Sequence, residues 1–123
     1  MKLEIKKMTT RQERTNHQKL VDFTDKSLLI VDDDGPFRER LSRAMEKKGF
    51  KVTQAESVEQ GINQVKKSPP AFAVVDLRLN DGNGLQIVKE IKLYKSDSRV
   101  VMLTGYGNIP TAVAAVKAGA IDY

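Results

Sequence analysis

The chain has 123 residues, of which 40% are hydrophobic, a formal net charge of +5 and no cysteine. That length suits one small domain, and the lack of cysteine excludes disulfides, thiol nucleophiles and cysteine-ligated metals. Apolar runs such as Leu28 to Val31 and Ala71 to Val75 fall far short of the ~20 residues a bilayer crossing needs, so no membrane span or membrane partner is expected. The opening MKLEIKKM scatters charge where a secretory signal would be apolar, which predicts a cytoplasmic protein.

The charge is unevenly placed. Residues 1–26 hold seven Lys or Arg against four Asp or Glu, whereas residues 27–123 hold fourteen against twelve. The first stretch reads as a basic, solvated leader, because it has neither interleaved aromatics nor a helix-turn-helix pattern to mark it as a nucleic-acid surface. Residues 27–123 read as the folded domain.

From Ser27 onward, apolar runs alternate with helix-period segments in the order β-α-β-α-β-α-β-α, which predicts an α/β fold with a doubly wound parallel sheet. Leu28 to Val31 is the first strand, apolar throughout as burial on both faces requires, and Asp32 to Gly35 is a polar turn. Pro36 opens a helix with Phe37, Leu41, Ala44 and Met45 as its stripe, closed by Gly49. Lys51 to Ala55 is the second strand. Ser57 and Gln60 have capping-box spacing, and Val58, Ile62 and Val65 form the face of a second helix that Pro69 and Pro70 stop. Ala71 to Val75 is the third strand, and Asp76 to Gly84 reads as a loop. A third helix begins with Leu85, Val88 and Ile91, Val100 to Leu103 is the fourth strand, and Ala112 to Ala118 is an alanine-rich fourth helix with a thin stripe.

Strands of a parallel sheet all point one way, so residues just past their carboxyl ends meet at one edge. Asp32 and Asp33 follow the first strand, Asp76 the third and Thr104 the fourth. Clustered carboxylates repel one another, and a divalent cation relieves that repulsion. Oxygen ligands without His or Cys suit a hard ion, and Mg²⁺ is favoured because it keeps waters for a phosphorylated substrate. An aspartate can accept a phosphoryl group covalently, and Asp76 is the best placed nucleophile. Asp34 alone reads as a turn or cap residue.

The blocks LLIVDDD, AVVDLRLNDGNGL, VVMLTGYGNIPTAV and KAGAIDY resemble, in order and spacing, the signatures of two-component response-regulator receiver domains over residues 27–123. The phrasing is most similar to the redox-responsive RegA, PrrA and ActR group. The resemblance implies the flavodoxin-like, CheY-like receiver fold and a phosphoacceptor switch of a phosphorelay, a signalling module rather than an enzyme. It makes Asp76 the phosphoacceptor and Asp33 the direct Mg²⁺ ligand. Asp32 would act largely through metal-bound water, and the Arg78 backbone carbonyl would complete the shell. Thr104 would be the switch hydroxyl and Tyr123 the switch aromatic, with the loop Gly105 to Pro110 and the fourth helix as moving parts. The implied partners are a sensor histidine kinase, and DNA only through an output domain that this chain does not contain.

The family also carries a lysine shortly after the aromatic, then a fifth strand and helix, none of which precedes Tyr123. The expectation is a C-terminally incomplete domain of about four βα units that is phosphorylated or switches poorly. Its uncovered sheet surface would favour association, a homodimer included, or marginal stability. Two other readings remain. A phosphohydrolase of the haloacid-dehalogenase type would need a second Asp two positions after the nucleophile, where this chain has Arg78. An interaction module that has lost phosphorylation would have no need of the acidic residues.

Overall fold

The computed structural model describes residues 25–103. Four strands, β1 (Ser27–Val31), β2 (Lys51–Ala55), β3 (Phe72–Asp76) and β6 (Arg99–Leu103), form one parallel sheet in the order β2-β1-β3-β6. A two-residue antiparallel pair, β4 (Arg78–Leu79) and β5 (Gly82–Asn83), follows β3. Three helices complete the described region: α1 (Gly35–Lys47), α2 (Val58–Lys67) and α3 (Leu85–Tyr94).

The strands look uniformly apolar, but their side chains alternate between two cores, as a pleated strand requires. Leu28, Ile30, Phe72, Val74 and Val101 face one side with Met45 of α1 and Phe50. Leu29, Val31, Ala73, Val75, Val100 and Met102 face the other, with Val58 and Val65 of α2 and Ile87, Val88 and Ile91 of α3. Both faces of β1, β3 and β6 are therefore covered, and complete burial of a Leu, Ile or Val side chain contributes about 1.5–3 kcal/mol. Strand β2 is one edge of the described sheet and is mostly exposed, so its polar KVTQA sequence is tolerated there.

The local signals explain where each helix stops and starts. The Asp34 side chain caps α1 by accepting a hydrogen bond from the Phe37 amide, the cap role expected for it. Helix α1 ends where Gly49 takes φ 101°, a left-handed conformation suited to glycine. Phe50 then turns back, its amide on the Met45 carbonyl and its ring edge-on to Phe72 at 5.2 Å between centroids. Ser57 caps α2 by accepting from the Gln60 amide, and the Gln60 side chain returns to the Glu56 amide, one residue before the position a standard capping box uses.

Two expectations need correction. The stripe of α1 holds at Met45, which is buried, and at Leu41, which packs against the same core, but Ala44 is exposed and Ser42 is buried instead. The stretch after Asp76 is not wholly loop, because β4 and β5 fold it into a hairpin.

From β1 the chain passes through α1 to β2 on one side, then through α2 to β3 on the other. The crevice of this reversal opens at the carboxyl ends of β1 and β3, where an open α/β sheet binds its ligands.

Candidate acidic phosphoryl site

Asp32 and Asp33 stand immediately after β1, and Asp76 is the last residue of β3. The register pairs Val31 with Val75, so the residues that follow come out side by side at the sheet edge. One carboxylate oxygen from each of Asp32, Asp33 and Asp76 lies within 4.8 Å of the others. The sequence-based convergence of these three residues is therefore realised in space.

Each carboxylate is held differently. Asp32 is only 6% exposed, and its amide extends the β-ladder onto the Ala55 carbonyl at 3.1 Å. Its carboxylate accepts from the Asp34 amide at 2.8 Å. Asp76 is half-buried and accepts from the Arg78 amide at 3.3 Å. Asp33 is half-buried, and no hydrogen bond holds its carboxylate among the described residues.

The electrostatics follow from that crowding. Burial, then the neighbouring Asp32 charge, pushes Asp76 up to about 6. Burial also raises Asp32, with the Asp33 and Asp34 charges adding to it and the Asp34 amide opposing it. A polyanionic pocket at a rim, with oxygen donors alone, fits a hard divalent cation by donor type and by spacing.

Arg78 follows two residues after Asp76 and opens β4, with its side chain exposed. Thr104 and Tyr123 lie outside the described residues, as do the loop Gly105 to Pro110 and the alanine-rich helix.

Sequence reasoning missed two residues, one that touches the pocket backbone and one that pins the hairpin after β3. Arg38 of α1 donates from Nη1 to the Asp32 carbonyl at 2.6 Å and from Nε to the Gln54 side chain of β2 at 2.9 Å. Asp81, in the turn between β4 and β5, accepts from the Val58 amide at 2.8 Å and the Glu59 amide at 3.1 Å, clipping the hairpin to the start of α2. These two backbone donors hold the Asp81 carboxyl below the usual carboxylate range. The first acts on a backbone carbonyl, which no sequence pattern displays. Nothing local marks the second.

Known proteins share this plan. The chain is 60% identical over 99 residues to the acid tolerance regulatory protein ActR of Rhizobium meliloti, a match covering 80% of this chain and 51% of that protein. It is 59% identical over 99 residues to the photosynthetic apparatus regulatory protein RegA of Cereibacter sphaeroides, covering 80% of this chain and 54% of RegA. The chain thus spans about half the length of the curated relatives it matches. Among solved structures, a response regulator protein from Burkholderia pseudomallei carries a phosphorylated aspartic acid, a calcium ion and citrate. It superposes with a TM-score of 0.76 at 36% identity, covering 80% of this chain and 58% of that one. Residues 28–123 match the response regulator receiver domain, and the chain belongs to that family.

Proposed function

We propose that this chain is the phosphoacceptor switch of a two-component phosphorelay, with Asp76 taking a phosphoryl group from a phosphohistidine of a sensor histidine kinase. The observation that carries this reading is the single cluster formed by Asp32, Asp33 and Asp76 at the crevice between β1 and β3. In the transfer, an Asp76 carboxylate oxygen forms a bond to phosphorus while the phosphorus–nitrogen bond breaks, and the departing imidazole keeps the electron pair and later takes a proton. An ionised Asp76 is the nucleophile, and a group pushed up to about 6 is mostly ionised at neutral pH.

Asp32, Asp33, Asp76 and the Arg78 backbone carbonyl would hold Mg²⁺. A bound Mg²⁺ would screen the like charges of nucleophile and phosphoryl group. Asp32 and Asp33 orient the approach, and the Arg78 amide donates to one Asp76 oxygen, steadying the carboxylate. The Thr104 hydroxyl would then bond the new phosphoryl oxygens and Tyr123 would follow it inward, a local charge change biasing a two-state element.

Residues 27–123 would form the receiver and residues 1–26 a basic leader, in a cytoplasmic protein whose output is control of transcription through a separate DNA-binding region. Arg78 in place of a second aspartate supports stoichiometric acceptance rather than phosphohydrolase turnover, since a guanidinium cannot act as the proton donor at neutral pH. Incubation with acetyl phosphate and Mg²⁺ followed by intact mass measurement tests the reading. A gain of one phosphoryl group, lost in Asp76→Ala, is expected. Continuous phosphate release from varied esters would favour the enzyme, and an unmodified chain that still binds Mg²⁺ would favour a partner-binding module.

A further inference from the structure

The three carboxylates are not equally supported. Asp32 is held at three points: its amide by the Ala55 carbonyl, one carboxylate oxygen by the Asp34 amide, and its carbonyl by Arg38. That carbonyl belongs to the peptide unit joining Asp32 to Asp33, and the unit is planar. Fixing the oxygen therefore fixes the amide plane from which Asp33 starts. Because no hydrogen bond among the described residues holds the Asp33 carboxylate, its aim depends on the backbone that carries it.

We propose that Arg38 is a positioning residue for the acidic site, its guanidinium bridging the Asp32 carbonyl and the Gln54 side chain so that the Asp32–Asp33 corner is set before a cation arrives. The inference rests on the phosphoacceptor reading above and deepens it. The planar fork is what the geometry needs, since Nη1 and Nε point to two acceptors, one on the corner and one on β2. The Gln54 side chain that takes the Nε bond springs from β2, whose backbone is fixed to β1 with Ile30 opposite Gln54.

The charge of Arg38 and its geometry have opposite consequences for a divalent cation. As a positive charge near the cluster, Arg38 repels the ion, and its removal would tighten binding. As a brace, it keeps the ligands preorganised, and its removal would weaken binding. Supporting contacts around metal ligands are worth about 10–100-fold in affinity, more than a partly solvated charge at the rim contributes. The brace should prevail.

The test is Mg²⁺ titration calorimetry on the full chain and on Arg38→Ala, Arg38→Lys and Gln54→Ala, with Asp33→Ala as the control for the site itself. Arg38→Ala is expected to weaken Mg²⁺ about 10-fold, the lower end for a supporting contact. Arg38→Lys should not restore it, because an ammonium keeps the charge without the fork. Gln54→Ala should show a smaller loss in the same direction, and it is an exposed edge-strand change that leaves both cores intact. With saturating Mg²⁺, phosphorylation by acetyl phosphate should return to the parental rate in all three. Unchanged or tighter Mg²⁺ binding in Arg38→Ala, or full rescue by Arg38→Lys, overturns the proposal while leaving the phosphoacceptor reading in place. A parent chain that binds no Mg²⁺, matching Asp33→Ala, overturns both.

Discussion

Gly84 lies so close to the main-chain carbonyl of Asp76 that a Cβ built on it would stand 2.1 Å from that oxygen. The same atom would meet Val75 Cγ1 at 2.9 Å, and the Gly84 amide donates to the Leu77 carbonyl at 2.7 Å. The hairpin after β3 therefore closes directly onto the backbone of the residue proposed to take the phosphoryl group, and only a glycine permits it. The conflict is with backbone, which cannot swing aside as a side-chain tip would. Gly84→Ala should destabilise the chain by about 3 kcal/mol, the upper part of the range for overpacking. It should also slow Asp76 phosphorylation in whatever fraction remains folded. Urea unfolding and intact mass measure the two effects, and a parental denaturation midpoint would contradict the packing seen here.

The acidic cluster sets the pH dependence of the metal-free chain. Asp76 is raised from an ordinary value of 3.8 to about 6 in the folded protein, so folding favours its protonated form. The favourable contribution is complete below about pH 4 and is lost as pH rises through 6. In chelator, stability should fall between pH 5 and pH 7.5. Asp76→Asn should be more stable than the parent at pH 7.5, by about 1 kcal/mol once screening of a half-exposed group is allowed for. Denaturant melts at the two pH values check it, and a parent more stable at pH 7.5 would argue against the crowding of charge.

Asp81 behaves in the opposite sense. Its carboxyl is lowered by the two amides it accepts from, so its contribution is present above the unfolded-state value and disappears as pH falls through the folded one. Asp81→Ala should lower the unfolding midpoint at neutral pH, with the difference from the parent vanishing in acid. Hydrogen exchange at Val58 and Glu59 should quicken selectively. Equal protection of those amides in both proteins would remove the clip.

Asp33→Ala should weaken Mg²⁺ by more than about 10-fold, since a ligand matters at least as much as a supporting contact. The fold should be barely disturbed, because a carboxylate cluster without its ion costs stability rather than adding it. Superimposable Mg²⁺ titrations of variant and parent would reassign the ligand.

Much of this was legible from the residues in order. The apolar strands, the polar turn after β1 and the capping signal at Ser57 are all local patterns, and the parallel sheet then brings Asp32, Asp33 and Asp76 to one edge without further assumptions. One position of the α1 stripe was misread, because Ala44 is a weak apolar signal while the small Ser42 occupies the buried position beside Met45. The β4–β5 hairpin hid within LRLNDGNG, whose two-residue strands are too short to show a period. Asp81 could not have been found, since its partners Val58 and Glu59 lie on another element and only the tertiary fold brings them together. Arg38 went unnoticed, because its partner is a carbonyl, which sequence patterns do not display.

The most direct test of the central claim is to locate the phosphoryl group. The chain would be treated with acetyl phosphate, reduced with borohydride to convert any aspartyl phosphate to homoserine, and mapped by peptide mass spectrometry. Homoserine at position 76, formed only when Mg²⁺ is present, is the expected result. Homoserine at another aspartate, or equal modification of residue 76 with the metal chelated, would contradict it.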